Sequence, residues 1–271
     1  MQSPFPWFGG KKQLSRTIIS LFPKHKIYVE PFGGSASVLF AKEPSELEVY
    51  NDLDKGLVNF FKVLADPNLF EQFKRRVEGL PYARQMWYDY RDEWKTEEDP
   101  VLRAAKWFYV ARGSFGGLFG NAWCFGTTKS SRAPSWMNCI PNLAEFHKRV
   151  RRVQIECHPY EKILEAYDSH ETLFYLDPPY VHDTRKSGKY RYELTNEEHK
   201  EMISRILKVK GMVVLSGYRH EIYEQLLKHG WQTKEINVFA TSIGHTRDID
   251  ISEEDRKRTE VIYTSFPISL F

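Results

Sequence analysis

Five short β-rich runs set the frame within which this chain can fold: residues 26–30, 47–51, 153–157, 172–177 and 212–216. Most are followed by helix-like stretches, such as residues 56–65 and 197–208. Strand and helix in alternation predict an α/β fold built on a doubly wound, Rossmann-like sheet, because parallel neighbours must be joined by crossovers. Two late runs, 233–240 and 260–266, have only the charged loop "TSIGHTRDIDISEEDRKRT" between them. They predict a terminal antiparallel hairpin that closes one sheet edge.

Between the second and third runs the rhythm breaks. Residues 68–80, 82–94 and 100–112 carry the apolar spacing of helices, and "GSFGGLFGNAWCFGTTKSSRAPSW" follows, with five glycines interleaved with Phe115, Phe119, Trp123 and Phe125. A connection that long and irregular tends to be functional or disordered. Residues 61–145 are therefore expected to form an inserted, mostly helical module, with 1–60 and 146–271 together making the other domain. Charge points the same way. Residues 101–152 hold nine lysines and arginines against the single acid Glu145, so the rest of the chain is net negative although the whole carries +3. A basic segment on an otherwise acidic protein is the footprint of a nucleic-acid surface, or else a solvated basic face.

Other chemistries find little support. Cys124, Cys139 and Cys157 contain no Cys-x-x-Cys, and the nine histidines no His-Glu-x-x-His, so no metal is expected. Sparse cysteines suggest a reducing cytoplasm. The start "MQSPFPWFGG" lacks the basic and apolar regions of a signal peptide, and with a mean hydropathy of -0.53 the chain has no run of membrane-spanning length. No membrane partner is expected. Cys157 and His158, at a strand end, read as a packed thiol and a partly exposed imidazole rather than as catalysts.

Two places carry the chemistry. The first strand runs into "YVEPFGGSASVLF", where a glycine pair allows a tight turn and a close backbone approach to a ligand at a helix start. It is not Gly-x-Gly-x-x-Gly, so a cofactor without a pyrophosphate fits better. Asp52 ends the next strand, 18 residues after Gly34, where an acid can accept from a ribose diol. A structural glycine turn and a surface Asp are the bland alternative. The second place is "TLFYLDPPYVHD", in which Asp177 and the prolines end a buried strand. An aromatic exocyclic amine is a weak nucleophile because its lone pair is delocalised into the ring. Acceptors on its two N–H groups, the Asp177 carboxylate and the Pro178 carbonyl, favour the geometry in which that lone pair is free. Pro178 and Pro179 fix the backbone without an N–H, and Tyr180 offers a flat face to a base.

The set "PWFGGKKQL", "VEPFGGSASVLF", "VYNDLDKGL", "FYLDPPY", "VVLSGY" and "TEVIYTSF", in this order, resembles the Dam-like adenine-specific DNA methyltransferases. The resemblance spans nearly the whole chain and is weakest in the insert, where that family puts target recognition. It implies a methyltransferase sheet, S-adenosylmethionine as cofactor, and methylation of adenine N6 in double-stranded DNA. It places Trp7, Phe8, Gly10 and Lys11 in the cofactor-site arm and Glu30, Phe32 and Gly34 in the loop at the methionine end. Asp52 becomes the ribose acid, with Asp177, Pro178, Pro179 and Tyr180 the catalytic motif and Asp177 also facing the cofactor. Arg112, Lys129 and Arg132 are expected to contact DNA, as are Lys186 and Lys189 in "RKSGKYRY", a loop that either closes on the DNA or is simply solvated. A bacterial cytoplasm, with a cellular or phage gene, and a cognate restriction enzyme as partner belong to the same implication. An RNA substrate or a non-catalytic DNA-binding protein are the alternatives. Ala36 stands where many members have a second glycine, and "RGSFGGLFGNAW" differs from the Dam hairpin, so recognition of GATC does not carry over.

Overall fold

The computed structural model describes residues 3–126, 132–181, 192–239 and 257–268. Seven strands, β1 (Ile27–Glu30), β2 (Leu47–Asn51), β3 (Val153–Glu156), β4 (Thr172–Leu176), β5 (Met212–Gly217), β6 (Gln232–Phe239) and β7 (Lys257–Thr264), form one sheet in the order β3-β2-β1-β4-β5-β7-β6. The first five run parallel, while β7 pairs antiparallel with both β5 and β6. The expected α/β fold with its terminal hairpin is the one observed. The hairpin does more than cover an edge, since its second strand lies inside the sheet next to β5.

The helices are α1 (Ser15–Ile19), α2 (Ser37–Ala41), α3 (Lys55–Ala65), α4 (Pro67–Glu78), α5 (Arg84–Glu93), α6 (Pro100–Gly113), α7 (Arg132–Cys139), α8 (Leu143–Val150), α9 (Tyr160–Tyr167), α10 (Asn196–Ile206) and α11 (Glu224–Lys228). Local chemistry starts several of them. Asp54 caps α3 by accepting from Gly56 and Leu57 N–H, and Asp66 and Asp99 cap α4 and α6, each followed by a proline at the first helical position. A reciprocal Thr195–Glu198 capping box opens α10.

Alternation along β1 splits the core in two. Tyr28 points into an aromatic layer with Tyr50, Phe60, Phe61 and Trp107, while Val29 points into an aliphatic layer with Val49, Phe174 and Met202. The aromatic layer continues without a gap into the insert: Phe60 of α3 stacks on Phe108 of α6 at 5.3 Å, and Phe73 of α4 meets both. The module boundaries expected at residues 60 and 145 fall inside α3 and α8. Helices α4 to α6 therefore extend the core on one side of the sheet. The described part of the glycine and aromatic stretch is a loop that closes on itself, with a Ser114–Trp123 bridge and a Cys124 N–H donating to the Gly113 carbonyl at 2.7 Å. Phe119 and Trp123 turn inward onto Trp107 and Tyr82, whereas Phe115 and Phe125 stay exposed. The N-terminal arm docks on this loop through Phe8 N–H to the Gly117 carbonyl at 3.1 Å.

Gly56 marks how closely insert and sheet domain approach. A Cβ there would stand 2.5 Å from both Trp107 Cδ1 and Trp94 Cζ3, two buried indoles. Gly56→Ala is expected to lower the melting temperature: overpacking against fixed rings costs about 3 kcal/mol, against about 1 kcal/mol that Ala gains over Gly in a helix. A thermal melt at or above the parental midpoint would show that the α3–α6 contact yields easily.

Candidate active site

Chain order reverses between β1 and β4, so the carboxyl ends of these adjacent strands open a crevice where doubly wound sheets bind ligands. A cavity of about 530 Å³ lies there. All nine residues expected to face a cofactor line it: Trp7, Phe8, Gly10, Lys11, Glu30, Phe32, Gly34, Asp52 and Asp177.

The turn after β1 is shaped by what surrounds it. A Cβ on Gly33 would fall 2.2 Å from the buried Tyr50 ring, and Gly34 has φ +48°. Gly33 N–H donates to the Asn51 carbonyl at 2.8 Å and Gly34 N–H to Asp52 Oδ2 at 2.9 Å, while the Tyr50 hydroxyl donates to the Gly34 carbonyl at 2.7 Å. Ala36 adopts φ +54°, a left-handed conformation that costs a non-glycine residue about 1–2 kcal/mol. The loop thus keeps its shape without a glycine at that position. Asp52 also accepts from Asp54 N–H at 2.8 Å, so two backbone amides orient its carboxylate.

Sequence reasoning missed Asn51. Its buried amide donates to the carbonyls of Pro31 and His158 at 2.8 and 2.9 Å and accepts from His158 N–H at 2.8 Å, tying together the ends of β1, β2 and β3. It also missed Tyr160, whose ring lies 5.2 Å from that of Phe32 on the cavity wall. A polar residue ending an apolar strand, and an aromatic opening α9, were the available signals.

At the other side stands Asp177, its side chain 19 % exposed, with Oδ1 2.8 Å from the buried Lys11 ammonium. Lys11 also donates to the Gly9 carbonyl at 2.9 Å. Burial pushes the Asp177 carboxyl up to about 6, against the pull of Lys11. Burial alone would lower Lys11, but the charges of Asp177 and Glu260 outweigh it and its pKa is raised. Tyr180, expected to offer a flat face to a base, is 4 % exposed: the Lys11 ammonium lies 4.7 Å from its ring centroid, and Tyr218 meets it edge-on at 4.6 Å. Its hydroxyl donates to Glu260 Oε2 at 2.5 Å, a partner the sequence reading did not name. Pro179 lines the cavity, whereas Pro178 is buried and does not.

The basic residues divide. Arg132 is exposed at the start of α7. Arg112 donates to the carbonyls of Pro4 and Ser135 and so ties α6 to the N-terminal arm and α7. Lys106 pairs with Glu93 and Glu97, and the buried Arg149 with Glu48. Part of the positive segment is therefore neutralised by acids from outside it. Lys129, Lys186 and Lys189 lie outside the described residues. Among the described residues, no cluster of three His, Cys, Asp or Glu could hold a metal ion, and no helix is long and apolar enough to cross a membrane.

This sheet order defines an α/β protein with a ligand-sized cavity at the carboxyl ends of β1 and β4, its topological switch point. The chain belongs to the D12 class N6 adenine-specific DNA methyltransferases, whose family model matches residues 7–242. It is 27% identical over 183 residues to the DNA adenine methylase of Vibrio cholerae serotype O1, a match covering 65% of this chain and 64% of that protein. It is 27% identical over 195 residues to the type II methyltransferase M.MjaIII of Methanocaldococcus jannaschii, covering 64% and 67%. With the DNA adenine methylase of Escherichia coli K12 the identity is 24% over 188 residues, covering 65% and 63%. The chain thus spans slightly less than two thirds of the Vibrio relative.

Glu30 gives a measurable electrostatic signature. It is 2 % exposed and accepts from the Tyr28 hydroxyl at 2.6 Å. Burial raises its pKa from 4.5 to about 8, the Tyr28 and Leu39 hydrogen bonds acting in the opposite direction. Folding therefore takes up a proton between these values, so this group's contribution is full below pH 4.5 and is lost as pH rises through about 8. Glu30→Gln, which keeps an acceptor for Tyr28, is expected to raise the melting temperature of the ligand-free protein at pH 8 relative to the parent, with no such gain at pH 4.5. Equal shifts at both pH values would contradict the assignment.

Proposed function

We propose that this chain transfers the methyl group of S-adenosylmethionine to the N6 amine of adenine in duplex DNA. The observation that carries this reading is the Asp177 carboxylate, gripped by Lys11 and set in the wall of the switch-point cavity of a D12-class chain.

The residues present fit the cofactor. The Gly33–Gly34 turn, where a Cβ on Gly33 would collide with Tyr50, lets backbone form part of the cavity wall. Asp52, oriented by two amides, suits a ribose diol, and Glu30 suits the cationic methionine end. Phe32 and Tyr160 supply aromatic surface for a purine. When bound, S-adenosylmethionine supplies an electrophilic methyl group on its sulfonium.

The chain's own residues prepare the acceptor. Asp177 accepts from the target amine and localises the nitrogen lone pair. Lys11 holds the carboxylate in place. This is positioning and charge placement, with no covalent intermediate. An adenine held inside a duplex cannot reach Asp177 in the wall of this cavity, so the base leaves the stack. Arg132, together with Lys129, Lys186 and Lys189, would engage phosphates, while exposed Phe115 and Phe125 add aromatic surface on the insert. Such an enzyme works where bacterial DNA is, in the cytoplasm.

Modification-sensitive sequencing of plasmid from cells expressing the chain should reveal methyladenine in a fixed context. Methylation of RNA only, or of nothing, would overturn the proposal. Asp177→Asn, chosen because it leaves a polar partner beside Lys11, is expected to slow single-turnover methylation on the order of a hundredfold or more. Cofactor affinity should change little, and the parental rate should fall as pH drops through about 6, where Asp177 becomes protonated. Asp52→Ala should instead weaken cofactor binding by about 1.5–3 kcal/mol, the worth of a charged hydrogen bond, as read by calorimetry.

A further inference from the structure

Glu260 is a buried acid on a strand whose next three residues, Val261, Ile262 and Tyr263, are all buried and bulky. It is 7 % exposed and pairs in register with Ile236 of β6. A carboxylate taken out of water is costly unless charge or hydrogen bonds compensate. The compensation here comes from the candidate active site. The Tyr180 hydroxyl donates to Glu260 Oε2 at 2.5 Å, across 80 residues of sequence. Tyr180 in turn lies beneath the Lys11 ammonium and against the edge of Tyr218, and Lys11 grips Asp177.

We propose that Glu260 is a positioning residue for methyl transfer: by holding the Tyr180 hydroxyl it fixes the ring that backs the Lys11–Asp177 pair, so that the terminal hairpin completes the site. The proposal rests on the reading that Asp177 receives the target amine. A purely structural role does not account for the placement, because an apolar side chain would fill a buried strand position without bringing a charge near Asp177. Among the described residues, the titratable groups that interact with the carboxylate include Tyr180, Lys11, Asp177 and Tyr175, and Tyr218 stands against the Tyr180 ring. Glu260 adds to the charge that keeps Lys11 protonated, and it opposes ionisation of Asp177. A more basic Asp177 is a better acceptor for the N–H of the target amine.

The test combines Glu260→Gln, Tyr180→Phe and the double variant. Single-turnover methylation, cofactor affinity by calorimetry and the carboxyl carbon titration of Asp177 are measured, the Asp177 signal being identified by its loss in Asp177→Asn. Each single substitution should slow transfer about tenfold or more, as expected for a displaced catalytic group. The double variant should be no slower than the worse single, because Glu260→Gln turns the charged contact into a weaker neutral one and Tyr180→Phe removes that same contact. Cofactor affinity should stay at the parental value, and the Asp177 midpoint should move to lower pH in Glu260→Gln. A parental rate with an unmoved Asp177 midpoint overturns the proposal, as do losses that multiply in the double variant. If Glu260→Gln does not fold, Tyr180→Phe decides alone: a parental rate there removes the contact from catalysis. The Asp177 titration needs no turnover, so a wild-type chain that methylates nothing fails the functional reading and leaves the Glu260 coupling separately measurable.

Discussion

The buried ion pair between Lys11 and Asp177 is the interaction around which the site is organised. Removing Asp177 leaves the buried Lys11 ammonium without its counter-ion, and removing Lys11 leaves a carboxylate in the cavity wall unpaired. The pair joins the N-terminal arm, which belongs to no strand, to the end of β4 in the middle of the sheet. It can form only because the arm is pinned from the far side. Phe5 packs edge-on against Trp107 at 5.0 Å, and Phe8 N–H reaches the Gly117 carbonyl. The insert therefore does structural work for the cavity, whatever else it contacts.

A second buried ion cluster ties β2 to α2 and α8. Glu48 of β2 accepts from Lys42, just after α2, at 2.6 Å and from Arg149 of α8, and Arg149 also donates to the Leu39 carbonyl at 3.0 Å. Three elements that frame the glycine turn are held by one carboxylate. Burial pushes Glu48 upward, but hydrogen bonds from Arg149 and Lys42 outweigh it and hold the group below its ordinary range.

Each of the three parallel strands that bound the cavity contributes through the residues just past its last sheet pairing. Asp52 follows β2, the Gly33–Gly34 turn follows β1, and Asp177 follows β4. Side chains there are freed from the alternation that commits strand residues to one core layer or the other, so they can turn toward a common ligand. Glu30, Asn51 and Tyr175 line the cavity from inside strands, and Asn51 uses its amide to lock the neighbouring turns.

The strand and helix alternation, the terminal hairpin, the glycine turn and the strand-ending acids Asp52 and Asp177 were legible in the residues themselves, because period, glycine placement and strand-ending acids are local signals, whereas Trp7, Phe8, Gly10, Lys11, Glu30 and Phe32 came only from the family resemblance. The sequence could not show that residues 61–145 share the sheet's core: aromatic residues such as Phe60 and Phe108 look the same whether they build a separate module or extend an existing one. Counting charge along a window also misread Lys106 and Arg149, whose partners Glu97 and Glu48 lie outside it. Glu260 was hidden for the same reason. Nothing within its strand explains an acid among apolar neighbours, and only the sheet order, which inserts β7 between β5 and β6, brings it to Tyr180. Residue type and spacing decide which groups are available; the pairing of distant strands decides which of them meet, because a buried charge is tolerated only where the tertiary fold supplies its partner.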